Sequence, residues 1–262
     1  MIEFFFEPFQ LPFLARALLV MVTLSLAAAT VGVLVNLRRF EFIGDGLTHT
    51  VFPGIVIGFL AGGTGGIMLG ALVAAVLSAV VFTYVARRGT GSETGVAIIL
   101  TSFFALGIVI VSTQSGAMGQ LQEFFFGRLL TVTQTMVWQS IAVVAVSVVL
   151  ALVTWRVQVF RAFDERGARA SGIRTLSSDL TLTIAIALLV VAASAAIGTL
   201  LVLALLVVPA ATARLVSARI GIIALVSGVF VALASWFGLS TSFWLSVSQG
   251  VNASPGRPWC SS

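Results

Sequence analysis

Residues 181–213, TLTIAIALLVVAASAAIGTLLVLALLVVPAATA, carry no charged side chain. As one α-helix at ~1.5 Å rise per residue they would extend roughly 50 Å, well beyond the ~30 Å hydrocarbon core of a bilayer. Two shorter helices, broken near Ser194 to Gly198, accommodate the run, and that break decides how often the chain crosses. Working outward, apolar runs bounded by breakers fall near 13–36, 43–62, 66–86, 94–113 and 134–156, and a last one near 220–238. The expected fold is therefore all-α, a polytopic transmembrane helical bundle of about eight spans.

The arginines test this count, because alternate loops share one side of the membrane and cytoplasmic loops collect the cations. One set of loops holds Arg38, Arg39, Arg87, Arg88, Arg156, Arg161, Arg166, Arg169, Arg174, Arg214 and Arg219. That is eleven of the fourteen basic residues. The opposite side keeps Arg16, Arg128 and Arg257, with the turn GGTGG (62–66) and the stretch QSGAMGQLQEF (114–124). Both termini are then expected outside, and splitting the 181–213 run is what keeps Arg214 and Arg219 inside.

With 59% of its residues apolar and 9% charged, the chain has no room for a soluble catalytic domain, so residues 1–262 read as a single transmembrane domain. The net charge of +5 is accounted for by topology and implies no nucleic-acid partner. The single cysteine, Cys260, excludes an intrachain disulfide and reads as an incidental terminal thiol. The start, MIEFFFEPFQLPF, is acidic and aromatic rather than cationic, so the first apolar run reads as a retained helix. Runs such as LGALVAAVLSAVV (69–81) and VVAASAAIGTLL (190–201) are rich in small residues that let helices approach closely in lipid.

The chemistry concentrates in Arg38–Leu60, RRFEFIGDGLTHTVFPGIVIGFL, which holds Asp45 and the only histidine, His49. In a helix starting near Ile43 the two share one face with Cβ atoms about 6 Å apart. Each is costly in lipid, so a partner is expected. Imidazole and carboxylate together suit zinc, manganese or iron(II), and in a twofold dimer two of each would supply four ligands to one divalent cation. Flanking Gly44 and Gly46 would permit the close approach such a site needs. The residues alone also admit Asp45 as a helix cap, His49 bonded to Asp45 or a carbonyl, or an Asp–His proton relay.

This stretch resembles the signature of the ABC-type permeases that import zinc, manganese or iron, in which Gly-Asp is followed four residues later by His and then by Pro-Gly. FFFGRLLTVT (124–133), FRAFDERGARASGI (160–173) and GTLLVLALLVVPAATARLVSARI (198–220) resemble further segments of that family, in order, from about residue 14 to 240. The resemblance implies a homodimeric permease of the bacterial cytoplasmic (inner) membrane. Its partners would be a cytoplasmic ATP-binding subunit, an extracytoplasmic metal-binding protein, a second copy of the permease and membrane lipid. Asp45 and His49 would bind the metal transiently, as transported substrate rather than resident cofactor, and the Phe163–Arg174 segment would be the ATPase-coupling helix. Within it, Phe163, Asp164, Glu165, Arg166, Ala168, Arg169, Gly172 and Arg174 are the expected contributors.

The chain has no lysine, so the phosphate-cradling lysine of a P-loop is absent. The chain is thus expected to be a transport subunit and not an enzyme, and any ATP-driven reading needs a partner. Pro53 and Pro209 remove backbone hydrogen bonds in or near spans, making each a candidate hinge. Outside, GQLQEFFFGRLL (119–130) is a candidate receiver for the binding protein or an interfacial helix. Relative to the family, residues 249–262 read as a polar tail in which no further span can be drawn. Two readings stand as alternatives: an ATP-independent secondary transporter or channel relaying protons through Asp45 and His49, and a truncated, inactive permease.

Overall fold

A computed structural model describes residue 9 and residues 11–87, 92–112 and 133–251. The described elements are helical. They comprise α1 (Pro12–Ala27), a π-helical turn (Ala28–Gly32), α2 (Val33–Arg38), α3 (Glu41–Thr50), α4 (Phe52–Ala86) and α5 (Ser92–Ser112). There follow α6 (Gln134–Phe163), α7 (Glu165–Ala170), α8 (Thr175–Ile197), α9 (Thr199–Val216) and α10 (Ile220–Val251). Among the described residues seven stretches are long and apolar enough to cross a membrane, and the apolar part of α9, Leu201–Val216, is shorter. At ~1.5 Å per residue α9 as a whole reaches about 27 Å, close to the hydrocarbon thickness.

The break expected in the 181–213 run is present. α8 stops at Ile197, Gly198 takes φ 80°, ψ 157°, and α9 starts at Thr199. A positive φ with extended ψ is open essentially to glycine, so this residue can turn the chain where a substituted one would be strained.

A second reversal lies at Gly62 and Gly63, which leave helical geometry inside α4 and fold it into a hairpin. Its two arms carry matching small-residue pairs, Gly54 with Gly58 and Gly66 with Gly70. A Cβ on Gly58 or Gly66 would run into the other's carbonyl oxygen, and one on Gly70 into that of Gly54. The arms therefore meet backbone to backbone, the close packing that substitutes for hydrophobic driving force in lipid.

α8 is the centre of the bundle, packed against α4, α6, α3 and α9. It is apolar on all sides, as a helix enclosed by others must be. Protein covers 72% of its apolar stretch, against 17% for α5 at the periphery.

Four helix ends converge. Arg38 ends α2, Arg87 follows α4, Arg161 lies near the end of α6 and Asp179 near the start of α8, and all three arginines reach Asp179. Arg214 at the end of α9 donates to Asn36 at 2.7 Å, so α9 returns to this same end. Eight crossings by the described helices, with α9 counted, require this arrangement, and the arginines gathered here are those the positive-inside rule assigns to the cytoplasmic side.

Several boundaries depart from expectation. α6 continues to Phe163 rather than 156, α8 begins at Thr175 rather than near 181, and α3 begins at Glu41 rather than near Ile43. The charges that looked like loop are neutralised in pairs instead: Arg161 binds Asp179 with both terminal nitrogens, at 2.7 and 3.0 Å. α10 runs on through Val251, well past 238, so the first residues of the expected polar tail are helical.

Candidate functional site

The local sequence sets α3 at an angle to what precedes it. Arg39 takes a left-handed conformation (φ 56°), and the Phe40 amide donates to the Val35 carbonyl at 2.9 Å, closing α2. Asn36 then donates to Glu41 at 3.3 Å while accepting from Arg214, which ties the first turn of α3 to α9. Gly44 faces Leu206 and Ile186, and Gly46 faces Phe82 and Val96 with no room for a Cβ. The two glycines on either side of Asp45 thus seat α3 against the bundle, whereas the sequence suggested that they make room for a ligand.

Between those packed faces, Asp45 and His49 point out of the bundle. The His49 Nε2 to Asp45 Oδ1 distance is 4.0 Å, and their side chains are 36% (Asp45) and 30% (His49) exposed. At that separation they do not hydrogen-bond to each other. Asp45 lies within α3, whose N-cap is Phe40, so it does not cap the helix. The imidazole meets Phe104 of α5 edge to face, ring centroids 5.6 Å apart, which fixes one side of the ring and leaves its nitrogens for other partners. Among the described residues no group of three or more His, Cys, Asp or Glu gathers to hold a metal. Neither the Asp45 nor the His49 side chain makes a hydrogen bond among the described residues, and both are partly exposed on the same face of α3.

Pro53 sits in the first turn of α4, where a missing amide costs little, at the joint between α3 and α4. Pro209 is inside α9, and the Thr212 hydroxyl donates to the Val208 and Pro209 carbonyls beside it.

The Phe163–Arg174 segment forms a small folded unit. The Asp164 carboxylate caps α7, accepting from the Gly167 amide at 2.7 Å. Ala168 is fully buried and holds α7 to the bundle. The far end closes with the Gly172 amide on the Arg169 carbonyl (3.1 Å) and the Ile173 amide on Ala168 (3.2 Å), Gly172 standing at φ 76°. That is the double hydrogen bond of a left-handed helix termination. Arg169 donates to Glu165 at 2.7 Å, and this bond, reinforced by the charges of Arg169, Arg161 and Arg38, holds the Glu165 carboxyl below its ordinary range. Phe163, Arg166, Arg169 and Arg174 are left facing outward, with Phe163 73% exposed. Asp164, Ala168 and Gly172 therefore shape the unit, and the outward residues are those a partner would meet.

Sequence reasoning missed Asp179. Its Oδ1 accepts from Arg38 (2.8 Å) and Arg161 (2.7 Å), and its Oδ2 from Arg161 (3.0 Å) and Arg87 (3.2 Å). Arg87 also donates to the Thr175 hydroxyl at 3.1 Å. The available signal was a carboxylate at the edge of an apolar run, which is costly without a partner and so predicts one. The outer stretch 119–130 lies outside the described residues.

A helical bundle that crosses the membrane repeatedly, sets a carboxylate–imidazole pair into its second crossing and displays a short charged helix at its arginine-rich end defines a membrane transport protein of the permease class. The chain belongs to the ABC 3 transport family, whose model it matches over residues 10–253. It is similar to the manganese import system permease protein ScaB of Streptococcus parasanguinis, 29% identical over 242 residues that make up 92% of this chain and 85% of that protein. It is likewise similar to the chelated iron transport system membrane protein YfeC of Yersinia pestis, 28% identical over 95% of this chain and 84% of that one. Among solved structures it resembles PsaBC from Streptococcus pneumoniae in complex with Fab, at a TM-score of 0.77 and 28% identity, covering 94% of each chain.

Proposed function

We propose that this chain is the membrane-spanning subunit of an importer for a divalent transition metal ion, with Asp45 and His49 as transient ligands. The observation that carries the reading is the pair itself: an anionic oxygen and a ring nitrogen 4.0 Å apart on one face of α3, turned away from the bundle and without a hydrogen bond among the described residues. A doubly positive ion offsets the carboxylate charge that makes the site costly in lipid. Two donors per copy favour a twofold pair of chains that together offer four. Manganese and iron are favoured by the names of the relatives, and zinc accepts the same ligands.

Energy enters through a separate ATP-hydrolysing subunit bound at Phe163–Arg174. The absence of lysine from the chain and the rigid, outward-facing form of α7 support that assignment. An extracytoplasmic binding protein delivers the ion. Pro209, inside α9, is the better placed of the two proline hinges, since Pro53 lies where a helix begins in any case.

The test is metal-uptake competition among manganese, iron and zinc in cells carrying the wild-type chain, Asp45→Asn or His49→Ala. Both variants are expected to reach the membrane in normal amounts and to lose uptake at least tenfold. Uptake at the wild-type rate in either one refutes the ligand role.

A further inference from the structure

The proposed ion site is walled on one side by a helix that carries neither of its ligands. The His49 imidazole and the Phe104 ring of α5 stand 5.6 Å apart between centroids with their planes at 82°. The same Phe104 ring lies 5.6 Å from that of Phe52, the first residue of α4, tilted by 40°. Phe104 is thus set between the last turn of α3 and the joint into α4. Phe52 is buried with Val56 of α4 and Val111 of α5, and Phe104 and Ile110 pack against these three. One turn beyond Phe104, Gly107 faces Phe52 so closely that a Cβ there would strike its ring. Gly107 therefore sets how near α5 stands to the joint, and with it how near Phe104 stands to the imidazole.

That nearness bears on the ion. Two ligands bonded to one divalent ion at about 2.1 Å lie about 3.0 to 3.4 Å apart across a right or tetrahedral angle. The 4.0 Å between His49 Nε2 and Asp45 Oδ1 exceeds this by at most about 1 Å, so a small turn of either side chain closes it. The closure is small only while the ring keeps Nε2 on the Asp45 side. A histidine that is 30% exposed, with neither ring nitrogen bonded among the described residues, has other staggered wells open to it that carry Nε2 away. Contact with Phe104 opposes that exchange. Holding the ring beforehand spares the ion the cost of ordering it.

We propose that Phe104 is a positioning residue of the ion site: its ring holds the His49 imidazole with Nε2 towards Asp45, and α5 thereby sets the affinity of ligands that it does not itself supply. The proposal rests on the reading of Asp45 and His49 as transient ligands. A phenyl ring offers no lone pair to a divalent ion, so Phe104 acts wholly through the imidazole.

The single histidine makes the test direct, because isotope-labelled histidine in the full chain, purified without a histidine tag into nanodiscs, reports on His49 alone. Without metal, wild type and Phe104→Tyr are expected to show an imidazole proton signal displaced by the neighbouring ring, and Phe104→Leu to return it towards the position of free histidine. Manganese binding is then followed by the electron paramagnetic resonance of the free ion. An edge-to-face ring contact is strong enough for Phe104→Leu to weaken binding roughly threefold to tenfold, while Phe104→Tyr, which keeps the ring, weakens it less than about twofold. Gly107→Ala retains Phe104 but forces α5 off Phe52, is expected to weaken binding likewise, and decides if Phe104→Leu is not recovered folded. Binding by Phe104→Leu within twofold of wild type, an imidazole signal that this variant leaves unmoved, or a Phe104→Tyr as weak as Phe104→Leu overturns the proposal. Failure of the underlying reading looks different: Asp45→Asn or His49→Ala would bind manganese as well as wild type, and the positioning role falls with it. If those two variants lose binding while Phe104→Leu keeps it, the ligand reading stands and the role of Phe104 alone falls.

Discussion

Replacing Asp179 by asparagine preserves shape and removes one charge, and the cost of that change can be worked from the contacts the carboxylate makes. Asp179 is the acceptor for four N–H donors from three arginines. Arg161 and Arg38 are shielded from water, so losing their counter-charge strands two buried cations. Breaking a buried ion pair from one side costs about 3–5 kcal/mol, a large share of the ~5–15 kcal/mol that typically separates folded from unfolded protein. Arg87, partly hydrated, adds less than ~1 kcal/mol. Unfolding in mixed micelles, combined with a double-mutant cycle, checks both numbers. Asp179→Asn and Arg161→Met should each be strongly destabilising, and the double variant should be more stable than their sum by at least ~2 kcal/mol, because it no longer strands Arg161. The cycle of Asp179→Asn with Arg87→Gln should couple by less than ~1 kcal/mol. An Asp179→Asn protein within ~0.5 kcal/mol of wild type would refute the claim that the cluster holds four helix ends together, given that the enclosed pair lies in its middle.

Other perturbations separate packing from coupling. Gly58→Val drives a side chain into the Gly66 carbonyl and the Gly70 backbone, and overpacking of this kind costs about 1–3 kcal/mol; size-exclusion chromatography in detergent should show loss of the monodisperse species, and an unchanged profile would mean the hairpin arms do not meet as described. Gly172→Ala has space around it but must hold φ 76°, at a cost of about 1 kcal/mol, and is expected to insert normally while weakening stimulation of the partner ATPase. The Glu165–Arg169 bond sets a pH window. Because the folded carboxyl sits below its ordinary value of 4.5, its contribution is complete above that pH and is lost as pH falls through the lowered value. Ordering of α7, followed by hydrogen exchange, should be flat from pH 8 to about 5 and fall in acid, and Glu165→Gln should abolish the acid step. With Glu165 half exposed the effect is below ~1 kcal/mol.

The parts of the fold that were legible in the sequence are those governed by length and by rare residues. A charge-free run too long for one crossing had to break, and glycine at 198 supplied the only backbone freedom near its middle; the structure breaks there. Arginine parity required Arg214 to lie at the same end as Arg38, and the Arg214–Asn36 bond places it there. Helix ends near charge were not legible. Arg156, Arg161 and Asp179 read as loop because a lone charge ends an apolar run, and nothing local reveals that two of them neutralise each other across a helical reversal.

The same asymmetry governs the candidate site. Asp45 and His49 stood out because each interrupts hydrocarbon. Asp179 is as expensive, but its neighbours in RAFDERGARASGIRTLSSD hid it in a polar stretch. The decisive quantity is the number of charges that a carboxylate must answer to in three dimensions, which local spacing does not contain. Asp45 has His49 at 4.0 Å and no hydrogen bond to its carboxylate among the described residues, and on the proposed reading a mobile cation completes it. Asp179 faces inward, answered by three arginines, and so fastens helix ends to one another instead.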